Sequence, residues 1–73
     1  MDIGLVLGLL KVALETFNAE RRDRFLKQYT KLEKEWQDEM ALPDDQRSDL
    51  ALDRILFECK QLAKLVITEA GHK

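Results

Sequence analysis

The chain has 73 residues, of which 36% are charged and 45% are hydrophobic, and its formal net charge is −2. This length allows one domain, residues 1–73, and the near balance of charge excludes a general electrostatic attraction to nucleic acid. One cysteine excludes an intrachain disulfide, and one cysteine with one histidine cannot form an ordinary zinc site within one chain. We therefore expect a single domain with no metal site and no cofactor.

The first predicted element is a long helix. A stripe of positions spaced by three or four residues runs from Ile3 to Met40 and is apolar except at Arg21, and this is the spacing of a helix with one buried side. Neither glycine nor proline interrupts residues 9–42. This pattern predicts a continuous helix over about 3–40. Asn18 is the one residue suited to cap a new helix and so to divide it in two.

The second predicted element is a shorter helix that follows the breaker Leu42-Pro43-Asp44-Asp45. We place it at about 44–70, with Ser48 as a second candidate for its N-terminal cap. Its apolar residues share one side of the helix and include Leu52, Ile55, Leu56, Cys59, Leu62, Ala63, Val66, Ile67 and Ala70. Strand patterns and hairpin turns are absent from the sequence. The predicted class is therefore all-α, a helical hairpin.

A hairpin of these two helices leaves the start of the long helix uncovered. The uncovered segment is the most apolar part of the chain, and a small domain often gains stability by association. We expect self-association into a bundle, as a homodimer, through Leu5, Leu9, Leu10, Leu14 and Phe17. The alternative is a break near Asn18, after which residues 2–17 fold back and form a compact three-helix bundle.

Two other surfaces are candidates for binding. Leu50, Phe57 and Leu65 lie away from the main stripe of the second helix, so they are candidates for a surface that binds a partner protein. A row of cations on the first helix is a candidate nucleic-acid face and comprises Arg24, Lys27, Lys31 and Lys34. Acidic residues beside this row neutralise it, which makes nucleic acid the weaker hypothesis.

The sequence favours a non-enzymatic protein–protein interaction module: a small assembly component, an adaptor or an inhibitor of another protein. We predict no catalytic residue, because Cys59 falls in the core stripe without an activating histidine and no nucleophile or phosphate motif is present. The expected location is cytoplasmic. The alternatives are a peripheral membrane protein anchored by residues 3–14 and an RNA-binding hairpin that uses the basic row.

Overall fold

A computed structural model describes residues 3–71 and contains three α-helices joined by short connections. Helix α1 spans Ile3–Glu15, α2 spans Ala19–Met40, and α3 spans Asp49–Gly71, with one turn of 3-10 helix at Asp44–Gln46. No strand occurs within 3–71. The all-α class is confirmed, and the arrangement is the alternative with a break near Asn18. The continuous helix over 3–40 was wrong, and the helix expected from 44 begins at Asp49.

The break between α1 and α2 is made by short-range hydrogen bonds. Helix α1 ends in a tightened turn, in which the amides of Thr16 and Phe17 donate to carbonyls three residues back, both at 3.1 Å. Asn18 then adopts an extended conformation, with φ −69° and ψ 168°, and its side-chain Oδ1 accepts from the Arg21 amide at 2.9 Å. This bond satisfies one of the donors that every helix start leaves without an intrahelical partner.

Arg47 makes two side-chain contacts within the connection between α2 and α3. Helix α2 ends at Met40, and Pro43, which cannot donate a backbone hydrogen bond, precedes the 3-10 turn. The Arg47 guanidinium donates to the Met40 carbonyl at 2.8 Å and pairs with the carboxylate of Asp44. Ser48 caps the start of α3, since its Oγ accepts a hydrogen bond from the Ala51 amide at 3.2 Å. The second predicted cap is therefore the one that forms.

Helix α1 folds back onto α2 and α3, and the three helices share one core. All three pairs of helices are in contact. The buried side chains are Ile3, Val6, Leu7, Leu10, Leu14, Tyr29, Leu32, Ile55, Cys59, Leu62 and Val66. Five of these eleven belong to α1, at relative exposures of 2–9%. At roughly 1.5–3 kcal/mol for each buried aliphatic side chain, folding back supplies a large part of the stability of this bundle.

The bundle is a short rod. Its extents are 46 × 18 × 15 Å, and its radius of gyration of 13.1 Å exceeds the roughly 11 Å typical of a compact domain of this length. Helix α1 has 13 residues, whereas α2 has 22 and α3 has 23, so α1 covers little more than half of their length. Among residues 3–71, no helix is both long enough and apolar enough to cross a membrane.

Candidate interaction surface

An apolar groove runs along the bundle between α1 and α3. It has a volume of about 550 Å³, and its lining is formed by Val6, Leu9, Leu10, Ala13, Lys60, Ala63, Lys64, Val66 and Ile67. Leu9 and Ile67 stand at its two edges and remain 65% and 70% exposed. Leu5 and Val12, also on α1, are exposed to a similar degree. Four large apolar side chains on α1 and α3 are therefore left in solvent, whereas only eleven of residues 3–71 are buried.

The predicted self-association residues divide between this surface and the core. Leu5 and Leu9 are exposed, whereas Leu10 and Leu14 are buried within the chain. Phe17 is half-buried, and its ring lies 6.0 Å from that of Phe25 between centroids. The expectation treated this segment as uncovered along its whole circumference. Because α1 folds back, one side of it is used inside the bundle and the opposite side remains exposed.

Ile67 is the groove residue that the sequence pattern misassigned. Its position at the edge of the apolar arc of α3 led to the expectation that it lies in the core with Val66. In the structure Val66 is 1% exposed and Ala63 packs against the core, whereas Ile67 lies at the open edge of the groove and is 70% exposed. Ala70, expected in the same stripe, is also exposed. Only the packing of α1 decides which edge of the arc is covered.

The predicted partner surface on α3 is exposed but does not form one patch. Leu50 is 83% exposed, Phe57 is 61% exposed and Leu65 is 55% exposed. Leu50 and Phe57 are seven residues apart and so lie on one line along the helix, whereas Leu65 lies roughly 80° around the helix from Phe57. Six exposed residues follow that line at alternating steps of three and four, and we call them the outer stripe: Leu50, Asp53, Phe57, Lys60, Lys64 and Ile67.

The predicted nucleic-acid face lies on the solvent side of α2, away from the groove. Arg24, Lys27, Lys31 and Lys34 are all exposed. Arg24 approaches Glu69 of α3 at 4.0 Å, and Arg21 approaches the same carboxylate at 3.8 Å. Part of the positive charge at this end of α2 is therefore directed toward α3 rather than toward a phosphate ligand.

Two ionisable side chains of the core, Cys59 and Tyr29, are held in their neutral forms. Cys59 is fully buried, and burial, together with the charges of Glu58 and Glu35, raises the pKa of its thiol. Burial also raises the pKa of Tyr29 to about 12, helped by the hydrogen bond of 2.7 Å that its hydroxyl donates to Glu33. A thiol held in its neutral form is a poor nucleophile. Within 3–71 no group of three potential metal ligands comes together.

Comparisons with family models, with curated proteins and with solved structures find no significant match to this chain.

Proposed function

We propose that this chain is a non-enzymatic protein–protein interaction module that associates with itself through the apolar groove between α1 and α3. The observation that supports this proposal is the groove itself, a concave apolar surface bordered by Leu9 and Ile67 at 65% and 70% exposure. A protein helix buries its side chains in a groove of this kind, and isolated exposed apolar residues do not create one.

The shape and charge of the surface favour a protein over a membrane or an RNA. A bilayer accepts apolar side chains that project from a convex surface, and interfacial helices usually carry an aromatic residue among them and a strongly basic opposite face. On α1 the described charges are Lys11 and Glu15, which cancel, and α1 has no aromatic residue. The basic row on α2 lies away from the groove and includes no aromatic side chain on which a base could stack.

The size of the effect is sufficient for a dimer of moderate affinity. In a symmetric dimer each copy would bury Leu9, Ile67 and the exposed Leu5 and Val12, which makes eight side chains in all. At roughly 1–2 kcal/mol for each such partly exposed side chain, the gain is about 8–16 kcal/mol. The cost of association is of similar size, roughly 4–15 kcal/mol. A net gain of about 8 kcal/mol lies within these ranges and corresponds to a dissociation constant of about 1 μM. We expect a dimer of that affinity, whose population depends on concentration.

The proposal is tested by solution mass, with one variant and one matched control. Light scattering after size exclusion, over a concentration series, should give twice 8.5 kDa for the wild type. Leu9→Asp should give a monomer of unchanged helicity, because Leu9 is exposed in the bundle and buried only in the dimer. Leu65→Asp makes the same chemical change at a residue 55% exposed on the other side of α3, and it should leave the dimer intact.

Three results would contradict the proposal. A wild type that stays monomeric at hundreds of micromolar would remove self-association. If the wild type floats with vesicles and Leu9→Asp does not, the groove binds a membrane and not a second copy. Salt-sensitive retention of RNA that is lost on charge reversal of Lys27 and Lys31 would transfer the function to the basic row.

A further inference from the structure

The outer stripe of α3 has the spacing of a coiled-coil contact. Its six residues lie at successive a and d positions of a heptad repeat, beginning with Leu50 at a and ending with Ile67 at d. The core of the bundle uses different positions of the same helix: Ile55, Cys59, Leu62 and Val66 lie at c and f. Helix α3 therefore has a second, solvent-facing stripe with the geometry of a helix–helix interface, almost opposite the first.

The order of residues along the outer stripe is complementary to itself when reversed. At one end of the stripe Leu50 is followed, three residues later, by the acid Asp53. At the other end Ile67 is preceded, three residues earlier, by the base Lys64. In an antiparallel pair of α3 helices, one register places all six residues opposite a suitable partner. Leu50 faces Ile67 of the second copy, Asp53 faces Lys64, and Phe57 faces Lys60, whose aliphatic stem and ammonium group suit an aromatic ring.

A parallel pair of the same stripes places like charges together. Each residue would then face its own counterpart, so Asp53 would oppose Asp53, and Lys60 and Lys64 would each oppose themselves. Through their side chains Asp53, Lys60 and Lys64 form no ion pair or hydrogen bond within residues 3–71, so the fold of one copy does not use their charges. Charges at a and d positions contribute mainly to orientation and register, and this set selects the antiparallel one.

The groove next to α3 accommodates the aromatic residue of this stripe. Lys60, Lys64 and Ile67 belong both to the outer stripe and to the groove lining. In the antiparallel register, Phe57 of the second copy reaches the groove beside Lys60, and its Leu50 reaches it beside Ile67. The same contact covers Leu50, Phe57 and Ile67, which the bundle leaves exposed on α3.

The distribution of charge along the rod favours the same orientation. Residues 33–58, at the end that holds the α2–α3 connection, contain nine acids and three bases, a net charge of −6. The other described residues, 3–32 and 59–71, contain four acids and eight bases, a net charge of +4. Antiparallel copies place each acidic end near a basic end, whereas parallel copies place like ends together.

We propose that the occupant of the groove is a second copy of this chain, bound with the two α3 helices antiparallel and in the register that pairs Leu50 with Ile67 and Asp53 with Lys64. This inference rests on the proposed function and specifies its geometry. Because the dimer is two-fold symmetric, each of these contacts occurs twice.

Charge reversal tests the register. Asp53→Lys and Lys64→Asp each convert two attractive contacts into two repulsive ones, so we expect the dissociation constant of each variant to rise on the order of 30-fold. The double variant, Asp53→Lys with Lys64→Asp, restores opposite charges and should dimerise nearly as the wild type does. An equimolar mixture of the two single variants should form a heterodimer. All three variants change exposed residues, and circular dichroism should show unchanged helicity.

Cysteine pairing tests the orientation. Leu50→Cys and Ile67→Cys, mixed and mildly oxidised, should give a heterodimeric disulfide, since the two positions face each other only in the antiparallel register. Leu50→Cys alone should give little covalent dimer. The native Cys59 is fully buried, so the wild type is the control that forms no disulfide.

The outcomes separate this inference from the proposed function. A wild-type dimer that Leu9→Asp dissociates, but that is indifferent to charge reversal at 53 and 64, would overturn the register and leave self-association through the groove. A disulfide formed by Leu50→Cys alone would overturn the antiparallel orientation. A wild type that is monomeric throughout would overturn both proposals.

Discussion

Replacing Asn18 by alanine tests what holds α1 against the other two helices. The substitution removes the side-chain acceptor that lies 2.9 Å from the Arg21 amide, and it introduces the residue with the highest helix propensity. Both changes favour the continuous helix that the apolar pattern of residues 3–40 predicts. The question is whether they outweigh the contacts that α1 makes with the core.

The magnitudes favour the bundle. Loss of the cap costs about 1 kcal/mol, and the gain in helix propensity is about 0.6 kcal/mol in the continuous form. Releasing α1 exposes Ile3, Val6, Leu7, Leu10 and Leu14, which are 2–9% exposed in the bundle. After allowance for a partly compact unfolded chain, their burial is worth roughly 5–10 kcal/mol. The fold should therefore survive, with a free energy of unfolding lower by about 1 kcal/mol.

Thermal and chemical unfolding measure the loss, and scattering measures the shape. A loss of about 1 kcal/mol in a domain of this size lowers Tm by roughly 4–8 °C. Asn18→Asp, which keeps an acceptor at the same position, should lie within a few tenths of a kcal/mol of the wild type. Small-angle scattering is best done in the Leu9→Asp background, where self-association is removed and the length of one copy is seen.

A longer molecule would refute the reasoning. The bundle has a greatest extent of 46 Å. A continuous helix over 3–40 would by itself be about 57 Å long. If Asn18→Ala lengthens the particle to that extent and raises its helicity, the cap and not the buried side of α1 determines the fold. An unchanged Tm would show instead that the hydrogen bond at Asn18 contributes nothing to stability.

Three further predictions concern the core and its ionisable groups. Because the pKa of Tyr29 is raised to about 12 in the folded state, the unfolded chain loses its proton first, so stability should fall by up to ~1.4 kcal/mol per pH unit between about pH 10 and 12. Tyr29→Phe, followed by urea unfolding against pH, should show a shallower decline, and a parallel decline would assign it to other groups. The thiol of Cys59 should react with a thiol reagent only at the rate at which the bundle opens, since it is fully buried; reaction as fast as that of a free thiol peptide would contradict its placement. Leu14→Ala should destabilise by about 2–5 kcal/mol, whereas Leu5→Ala, at a residue 60% exposed in the same helix, should change stability by less than about 1 kcal/mol.

The sequence was sufficient for the class of the fold and for the buried residues of α3. Helical spacing identified the apolar sides of both halves of the chain, and the connection around Pro43 was located by its breaker residues. The break at Asn18 was harder to predict, because the free energy that favours it does not come from the residues around Asn18. That free energy comes from the burial of the inner side of α1 against α2 and α3, a tertiary contact that outweighs the local preference for continuous helix.

The same limit explains what was missed at the candidate surface. Leu50 and Phe57 were identified as an exposed pair, since they lie far from the core stripe of α3. Ile67 was assigned to the core, because an apolar residue at the edge of an arc is covered or exposed according to where the third helix packs. Without Ile67 the outer stripe has an aliphatic residue only at Leu50, and the antiparallel pairing of its two ends cannot be recognised. Leu65 was grouped with Phe57 although it lies on another side of the helix.

Helix α3 can be understood as a helix with two contact sides, and this separates two kinds of mutational effect. Substitutions at its inner positions, such as Leu62, should reduce both stability and association, because the groove exists only while α1 is packed. Substitutions in the outer stripe, such as Lys64→Asp, should reduce association and leave the unfolding of the dissociated chain unchanged. A plot of dimer dissociation against monomer stability for variants along α3 should therefore form two groups that follow the heptad positions. If both groups fell on one line, association would depend only on folding, and the outer stripe would have no role of its own.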